Sequence, residues 1–302
     1  MPDGCYRIDI PEGTSKVWLS VNRGIVFPAD RCSKGGTMVE CPGRLLAVGD
    51  IHGYYDKLEA LMNEVRPTAV DKVIFLGDYI DRGPDSCKVL QYLMDFKKRF
   101  PGTDTVFLRG NHEQMLLDAL AESRDMGPSF SRLRDISAKA KADLDSDAWW
   151  IFTANGGRKT LESYGASTGS AGNCTAIPDE HVDFLQKNLF HHQEIVEVTT
   201  QNGTAVQTFL FVHAGITPGV PLEKQDPMDL LWIREPFLHS KSRFGGKIVV
   251  HGHTPNLEVP TRSAHRICVD SGVYLYGSRY SGKAWGKLTC CNVLTREIWQ
   301  AG

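Results

Sequence analysis

The sequence VIFLGDYIDRG, at residues 73–83, places two aspartates and an arginine shortly after four apolar residues. Val73–Leu76 shows no polar alternation, which is typical of a strand that is buried on both faces of a sheet. The glycine that follows allows the chain to turn sharply where the strand ends. The stretch therefore predicts a buried strand whose carboxyl end carries Asp78, Asp81 and Arg82.

Buried strands and helices alternate on both sides of this stretch. Leu45–Val48 and Val106–Leu108 are similar apolar runs, and apolar residues recur at helical spacing within 58–65 and 89–94. This alternation predicts βαβ units and a largely parallel sheet. In the second half, an Asn-Gly pair at 202–203 is a strong hairpin signal and predicts a second, more antiparallel sheet. We therefore expect an α/β fold of the α+β sandwich type, with two β-sheets face to face and helices outside.

Changes in composition divide the chain into three parts. Residues 1–43 are rich in Gly, Pro and Cys and are predicted to form an N-terminal extension, with short strands at Val17–Val21 and Gly24–Phe27. Residues 44–302 are predicted to form the main domain. Within it, a mostly polar stretch around 122–190 has helical character and is predicted to be a helical cap insertion.

Length, charge and cysteine content narrow the class of protein. The chain has 302 residues, 41% hydrophobic and 23% charged, which is enough for a folded core and does not fit a disordered, collagen-like or coiled-coil protein. The net charge of −2 gives no general attraction to nucleic acid or anionic membranes, and we expect neither as a partner. We expect no membrane span and no signal peptide. The eight cysteines contain no C-x-x-C pair and are expected to be reduced, which predicts a cytoplasmic protein.

Five predicted strands each end in a polar segment that combines Gly with His, Asp or Asn. These segments are Gly49–Gly53 (GDIHG), Gly77–Gly83 (GDYIDRG), Arg109–Glu113 (RGNHE), His213–Gly215 (HAG) and His251–Pro255 (HGHTP). The carboxyl ends of strands line the ligand crevice of an open α/β sheet. We therefore expect the five segments to converge on one site.

Such a site offers oxygen and nitrogen ligands without cysteine, a combination that suits Mn²⁺, Fe or Zn²⁺ better than a thiolate centre does. Six ligands are too many for one catalytic metal with an open position, but they fit two metals that share a carboxylate. Two-metal sites hold the ions about 3.5–4 Å apart and clamp a phosphoryl group. The six candidate ligands are Asp50, His52, Asp78, Asn111, His213 and His253.

Taken singly, most of the segments also have a purely structural explanation. GDIHG and HGHTP could be turns, Asn111 could cap a helix, and His213 could be a core histidine. All five segments in order, each at the end of a predicted strand, favour a shared site.

GDIHG, GDYIDRG and RGNHE resemble the three signature motifs of the phosphoprotein phosphatases, which belong to the calcineurin-like metallophosphoesterase superfamily. The later HAG and HGHTP segments are similar to its remaining metal-binding histidine segments, so the resemblance runs from about Leu45 to Asp270. It implies a calcineurin-like metallophosphoesterase fold, with a central two-sheet β-sandwich, flanking helices and two metals where the sheets meet.

The resemblance also implies how the metals are shared. The first metal would be bound by Asp50 and His52, and Asp78 would bridge both. The second would be bound by Asn111, His213 and His253, since the family's ligand in HGHTP is the histidine before Thr, and His251 would lie behind it.

The same resemblance implies the roles of the groups that contact substrate. His112 would protonate the leaving oxygen, and Asp81 would orient it and favour its protonated form. Arg82 would bind the phosphate oxygens, with Arg234 as a second phosphate-binding arginine and Asn111 as a further contact. Arg109 would either support its loop or contact substrate.

One departure separates the sequence from the eukaryotic protein phosphatases. After the last metal-binding histidine those enzymes carry SAPNYC, whereas residues 268–274 here are CVDSGVY, which is similar to the bacterial and phage protein phosphatases. The Trp pair at 149–150 and the Asn-Gly-Gly at 155–157 also resemble a cap segment of the bacterial-type enzymes. They would be either substrate contacts or buried aromatics before a helix end.

The expected function is metal-dependent hydrolysis of phosphoserine and phosphothreonine in a phosphoprotein or phosphopeptide, by direct attack of a metal-bridging hydroxide. Mn²⁺ is the expected metal, with Fe or Zn²⁺ as alternatives, and phosphotyrosine is left open as a substrate. The alternative function is a symmetrical diadenosine tetraphosphatase or another phosphoesterase on the same site. A catalytically inactive metal-binding scaffold is disfavoured because such proteins usually lose a ligand or the acid, and none is missing here.

Overall fold

A computed structural model describes residues 17–21, 43–122, 148–166, 176–200, 203–242, 244–256, 258–261, 263–275 and 286–302. Most of the predicted N-terminal extension lies outside the described residues. So do 123–147 and 167–175 of the predicted cap insertion.

The strands within the described residues are short, apart from one long hairpin. They are β1 (Val17–Val21), β2 (Leu45–Val48), β3 (Lys72–Phe75), β4 (Asp104–Phe107), β5 (His191–Thr200), β6 (Gly203–Val212), β7 (Ile248–His251), β8 (Arg266–Cys268), β9 (Leu288–Asn292) and β10 (Ile298–Ala301).

The described helices lie mainly in the first half of the chain. They are α1 (Tyr55–Val65), α2 (Ser86–Met94), α3 (Phe96–Arg99), α4 (Asn111–Glu122), α5 (Ala148–Phe152), α6 (Arg158–Ser163), α7 (Asp179–Gln186) and α8 (Pro227–Trp232). A π-helical turn, Thr153–Gly157, joins α5 to α6.

The described strands form two mixed sheets, and the predicted α/β sandwich is confirmed. One sheet has the order β10-β9-β2-β3-β4, in which β2, β3 and β4 are parallel, as the alternation of strands and helices predicts. The other has the order β1-β5-β6-β7-β8. The prediction that this second sheet is the more antiparallel one holds for the pairing of β1, β5 and β6, whereas β6, β7 and β8 are parallel. The long connections between these three strands give the chain room to return to the same end of the sheet.

Both faces of β2 are buried, which explains its unbroken apolar sequence. Leu45 and Ala47 pack into the cluster between the two sheets, together with residues such as Phe211 of β6. Leu46 and Val48 point the other way, into a second cluster that includes residues of α1, α2 and α4. A third cluster covers the outer face of the second sheet beneath α8.

No helix within the described part of the chain is long and apolar enough to cross a membrane. The cysteines that the structure describes, Cys87, Cys268, Cys290 and Cys291, are free thiols.

Candidate active site

The six candidate ligands lie together where the parallel strands of the two sheets end. Asp50, Asp78 and Asn111 follow β2, β3 and β4 in the first sheet, and His213 and His253 follow β6 and β7 in the second. All six side chains are buried. The site is therefore built by both sheets, and neither sheet could form it alone.

A buried carboxylate from the RGNHE segment holds the loop that carries Asp78. Glu113 accepts hydrogen bonds from the backbone N–H groups of Asp78 at 2.8 Å, Tyr79 at 2.7 Å and Gly110 at 2.8 Å. Asp78 has a φ of 53°, a conformation that persists only where the surroundings enforce it. A Cβ atom on Gly110 would lie 2.1 Å from Oδ1 of Asp78, so this position requires glycine.

Asp78 lies between two groups of potential metal ligands. One group contains Asp78 with His52 and His112, the other Asp78 with His213 and His253, and the ligand atoms of each group lie within 4.8 Å of one another. Nε2 of His52 is 3.5 Å from Oδ2 of Asp78, whereas Nε2 of His213 is 3.3 Å from Oδ1. Each oxygen thus faces a different histidine, as expected for a carboxylate that bridges two cations.

Backbone carbonyls orient two of the histidines. Nδ1 of His52 is 3.0 Å from the carbonyl oxygen of Ile80, and Nδ1 of His213 is 2.9 Å from that of Leu76. Because a carbonyl only accepts, Nδ1 carries the proton and Nε2 keeps its electron pair for a metal. Burial lowers the pKa of His52, His213 and His253, which favours the neutral imidazole that binds cations.

Asn111 lies between the two histidines of the second group. Its Oδ1 is 3.0 Å from Nε2 of His213 and 2.9 Å from Nδ1 of His253. Asp50 lies beside the same segment, since both of its oxygens are 3.1–3.2 Å from the backbone N–H of His253, which donates to them. In this arrangement Asp50 adjoins the two groups centred on Asp78 but belongs to neither.

Buried negative charge accumulates at one side of the site. Burial raises the pKa of Asp50, and the charges of Asp270 and Asp78 raise it further. Burial likewise raises the pKa of Asp270 to about 7. At Asp78 the neighbouring histidines outweigh burial and hold the pKa below its ordinary value. Such a cluster of carboxylates in a low-dielectric interior calls for a compensating cation.

His112 forms a hydrogen-bonded pair with Asp81. Its Nδ1 is 2.7 Å from Oδ2 of Asp81, while the other oxygen of Asp81 accepts a 2.5 Å hydrogen bond from the hydroxyl of Thr160. Burial lowers the pKa of His112, but the charge of Asp78, the hydrogen bond that Nδ1–H donates to Asp81 and the charge of Asp81 outweigh it, so the net shift is upward. Nε2 of His112 is buried without a hydrogen-bond partner among the described residues and lies 3.9 Å from Oδ2 of Asp78.

Arg82 contacts one of the candidate ligands, His52, and the ring of Tyr274. One guanidinium nitrogen is 2.8 Å from Nε2 of His52, and the group lies over the ring of Tyr274, 4.2 Å from its centroid. The backbone N–H of Arg82 donates to the carbonyl of Gly156 at 3.3 Å, in the π-helical turn before α6. The described part of the helical insertion therefore contacts the site through Gly156 as well as Thr160.

The other two arginines have different surroundings. Arg234 is exposed, and its Nε donates to the hydroxyl of Thr254 at 3.3 Å, directly after the HGH segment. Arg109 is buried and donates to Gln114 at 2.9 Å and to the carbonyl of Gln186 at 2.7 Å. Of the two alternatives for Arg109, the structure supports the loop-supporting role.

The two tryptophans of the insertion are placed differently. Trp149 packs against the main helical core, whereas the side chain of Trp150 is 64% exposed. Packing in the core therefore accounts for Trp149, whereas the exposed side chain of Trp150 can contact a ligand.

Sequence reasoning missed three residues that shape the site. Glu113 lies inside a recognised motif, and its place two residues after Asn111 was an available signal. Thr160 had none, because it lies 79 positions after Asp81 in the chain and only tertiary packing brings the two together. Asp270 follows β8 within the CVDSGVY segment, where a single aspartate gives no local signal of a role in the site.

The residues present fit a pair of metal ions. Nε2 of His253 and Oδ2 of Asp270 are buried polar atoms without hydrogen-bond partners in the part of the chain that the structure describes. Unsatisfied buried atoms of this kind are uncommon in native proteins, and a bound ion is one accepted explanation. Neutral histidines and charged carboxylates around Asp78 are the donors that Mn²⁺, Fe and Zn²⁺ bind.

Comparison with known proteins agrees with this chemistry. The sequence profile of the calcineurin-like phosphoesterase family matches residues 43–296. Serine/threonine-protein phosphatase 1 of Salmonella typhimurium is 39% identical over 103 residues, and the alignment covers 32% of this chain and 44% of that protein. The serine/threonine-protein phosphatase 2B catalytic subunit A2 of Saccharomyces cerevisiae is 36% identical over 91 residues, covering 30% of this chain and 15% of that protein.

These local alignments span less than half the length of the curated relatives that they match. Among solved structures, a "putative diadenosine tetraphosphatase" superimposes with a TM-score of 0.50 at 19% identity, covering 87% of this chain and 95% of that one. At that identity the likeness concerns the fold alone.

Proposed function

The chain belongs to the calcineurin-like phosphoesterase family, and we propose that it is a metal-dependent protein phosphatase that hydrolyses phosphoserine and phosphothreonine monoesters. The observation that carries this proposal is the His112–Asp81 pair beside two groups of potential metal ligands. Nε2 of His112 has no hydrogen-bond partner among the described residues and faces these groups. An acid beside a two-metal pocket is what direct phosphoester hydrolysis requires.

Two metal ions would be held at this pocket, and we propose Mn²⁺, with Fe or Zn²⁺ as the alternatives. Asp50, His52 and Asp78 would hold the first ion. Asp78, as the shared carboxylate, would hold the second together with Asn111, His213 and His253. When bound, the ions would lower the pKa of water to produce a nucleophile near neutral pH and would offset the negative charge of the phosphate.

The side chains around the pocket would bind the phosphate and transfer the proton. Arg82 would bind two phosphate oxygens through its planar guanidinium group, with Arg234 and the amide of Asn111 as further contacts. His112 would give the proton on Nε2 to the departing serine or threonine oxygen. Asp81, fixed by Thr160, would hold the imidazole in the orientation and charge state that this transfer needs.

We also propose that the leaving group is a serine or threonine of a protein. Relatives named as serine/threonine-protein phosphatases support a protein substrate, and the local alignments leave the substrate itself as a proposal. The groups described above contact the phosphoryl group and not what is attached to it. A phosphotyrosine peptide and diadenosine tetraphosphate are therefore the alternative substrates to compare with a phosphothreonine peptide.

The test uses full-length protein that has been chelated and reloaded with Mn²⁺, assayed on a phosphothreonine peptide, a phosphotyrosine peptide and diadenosine tetraphosphate. We expect phosphate release from the phosphothreonine peptide. Changing His112→Asn should reduce turnover by about 10²–10⁴-fold while the bound metal stays unchanged, because the acid and not a metal ligand is removed.

His265→Asn is the matched control, since His265 lies at the amino end of β8, at the opposite end of the strand from the site. This control should keep wild-type activity. Cleavage of the dinucleotide alone would contradict the protein-phosphatase assignment, and an active His112→Asn enzyme would contradict the assigned acid.

A further inference from the structure

Six parallel strands end at the site, and five of them lead to a proposed ligand. β2, β3, β4, β6 and β7 are followed by Asp50, Asp78, Asn111, His213 and His253. The sixth is β8, and the residues after it are Val269 and Asp270. The backbone N–H of Val269 donates to the carbonyl of His251 at 2.9 Å, so β8 remains aligned with β7 up to the site. Asp270 has no role in the reaction proposed above.

The segment that carries Asp270 packs directly against the one that carries Asp50. A Cβ atom on Gly49 would lie 2.6 Å from the carbonyl oxygen of Val269 and 3.4 Å from Cα of Asp270. On the other side, a Cβ atom on Gly252 would lie 2.2 Å from Oδ1 of Asp50. Glycine is thus needed at both positions, because a side chain there would prevent the ends of β2, β7 and β8 from packing together at Asp50.

One oxygen of Asp270 is satisfied and the other is not. The side chain is 1% exposed, and its Oδ1 accepts a hydrogen bond from the backbone N–H of Gly272 at 2.8 Å. Oδ2 is buried with no hydrogen-bond partner among the described residues. A buried carboxylate oxygen without a partner is costly, so the folded protein should supply a donor or a cation there.

We propose that Asp270 is an additional carboxylate of the first metal position, where its Oδ2 helps to hold the ion beside Asp50, His52 and Asp78. This inference rests on the two-metal centre of the proposed function. Its consequence is an asymmetric centre. The first position would have three carboxylates and one imidazole, whereas the second would have one carboxylate, one amide and two imidazoles.

The chemistry of these donor sets predicts different preferences. Carboxylates suit Mn²⁺, whereas imidazoles suit Zn²⁺ and Fe. The first position should therefore prefer Mn²⁺ more strongly than the second does. Asp270 would contribute to that preference because it adds oxygen and negative charge without adding nitrogen.

The test is calorimetric titration of Mn²⁺ into chelated full-length protein, with wild type compared with Asp270→Asn. The asparagine keeps the acceptor for the Gly272 N–H and removes the charge at Oδ2. We expect wild type to bind two equivalents. The variant should bind one equivalent with wild-type affinity and the other at least about tenfold more weakly. Tenfold is the lower end of the loss in metal affinity that removal of a supporting contact usually causes. Asp183→Asn, which changes an exposed aspartate of α7, should behave as wild type.

Three outcomes would overturn the inference, and they are distinguishable. If Asp270→Asn binds both equivalents with wild-type affinity, Asp270 takes no part in holding the metal, and the proposed function stands. If metal-free Asp270→Asn unfolds at a lower temperature than metal-free wild type, Asp270 is a structural residue, because removal of an uncompensated buried charge should leave the midpoint equal or higher. If wild type binds no Mn²⁺, the two-metal centre of the proposed function fails as well.

Discussion

His112 illustrates how neighbouring charges set the chemistry of one residue. The ring is buried, which alone would favour the neutral form, but Asp81 contacts Nδ1 at 2.7 Å and Asp78 adds a second negative charge. These carboxylates raise the pKa of His112, so the imidazolium persists to higher pH than it would for an isolated histidine. A raised pKa suits a group that must still hold a proton near neutral pH when the leaving oxygen departs.

Asp81→Asn should move the pH dependence of catalysis. Activity that needs protonated His112 is lost as pH rises through the pKa of that histidine. Because the substitution removes the charge that helps to raise this pKa, the descending limb of kcat/KM should shift to lower pH, with kcat reduced by at least about tenfold. Measurement of kcat/KM on a phosphothreonine peptide across the pH range would show the shift.

A control for that shift is Asp56→Asn, since the Asp56 side chain is 66% exposed on α1. Its pH profile should match that of wild type. A descending limb that stays in place in Asp81→Asn would mean that another group supplies the proton.

At the scale of elements, the site depends on loops that are held in unfavourable backbone conformations. His52, Asp78, Asp81, Arg82 and His253 all have positive φ. Residues held in sparsely populated regions cost about 1–3 kcal/mol each and persist only when their surroundings fix them. The start of α4 provides much of that support, because Glu113 ties the loop after β3 to the loop after β4.

Glu113→Gln should loosen this junction. One oxygen would be replaced by an amide NH₂ group, which cannot accept the hydrogen bonds that the backbone N–H groups of Asp78 and Gly110 donate to Oε2. Each buried donor left without a partner costs about 1–3 kcal/mol. We expect the free energy of unfolding in urea, measured without metal, to fall by about 2–4 kcal/mol.

Glu64→Gln changes an exposed glutamate of α1 and should leave the unfolding free energy within about 0.5 kcal/mol of wild type. An equally stable Glu113→Gln protein would show that other contacts hold the loop of Asp78.

Some strands and contacts have a local signal in the sequence and others have none. Apolar runs without alternation located β2 and β3 because strands buried on both faces need such residues. The parallel pairings of β6 with β7 and of β7 with β8 left no local signal, since they depend on where long connections return the chain. The contact of Thr160 with Asp81 has the same origin, because it arises only when α6 packs against the loop after β3.

For the molecule as a whole, the proposed ligands come from two sheets that are joined by an apolar core. β2, β3 and β4 belong to one sheet, β6 and β7 to the other, and the core between them is built from both. The resemblance of short motifs was enough to predict the sandwich and the group of residues at its edge. The metal roles of those residues stay predictions, and so do the substrate and the bacterial and phage-type character.

The two-metal phosphatase is tested by a Mn²⁺ titration of chelated protein in which bound metal and phosphate release from a phosphothreonine peptide are measured on the same samples. We expect no activity without metal and a rise in activity that is complete only when two equivalents are bound. Full activity in the chelated protein, or at a single bound equivalent, would contradict a two-metal phosphatase.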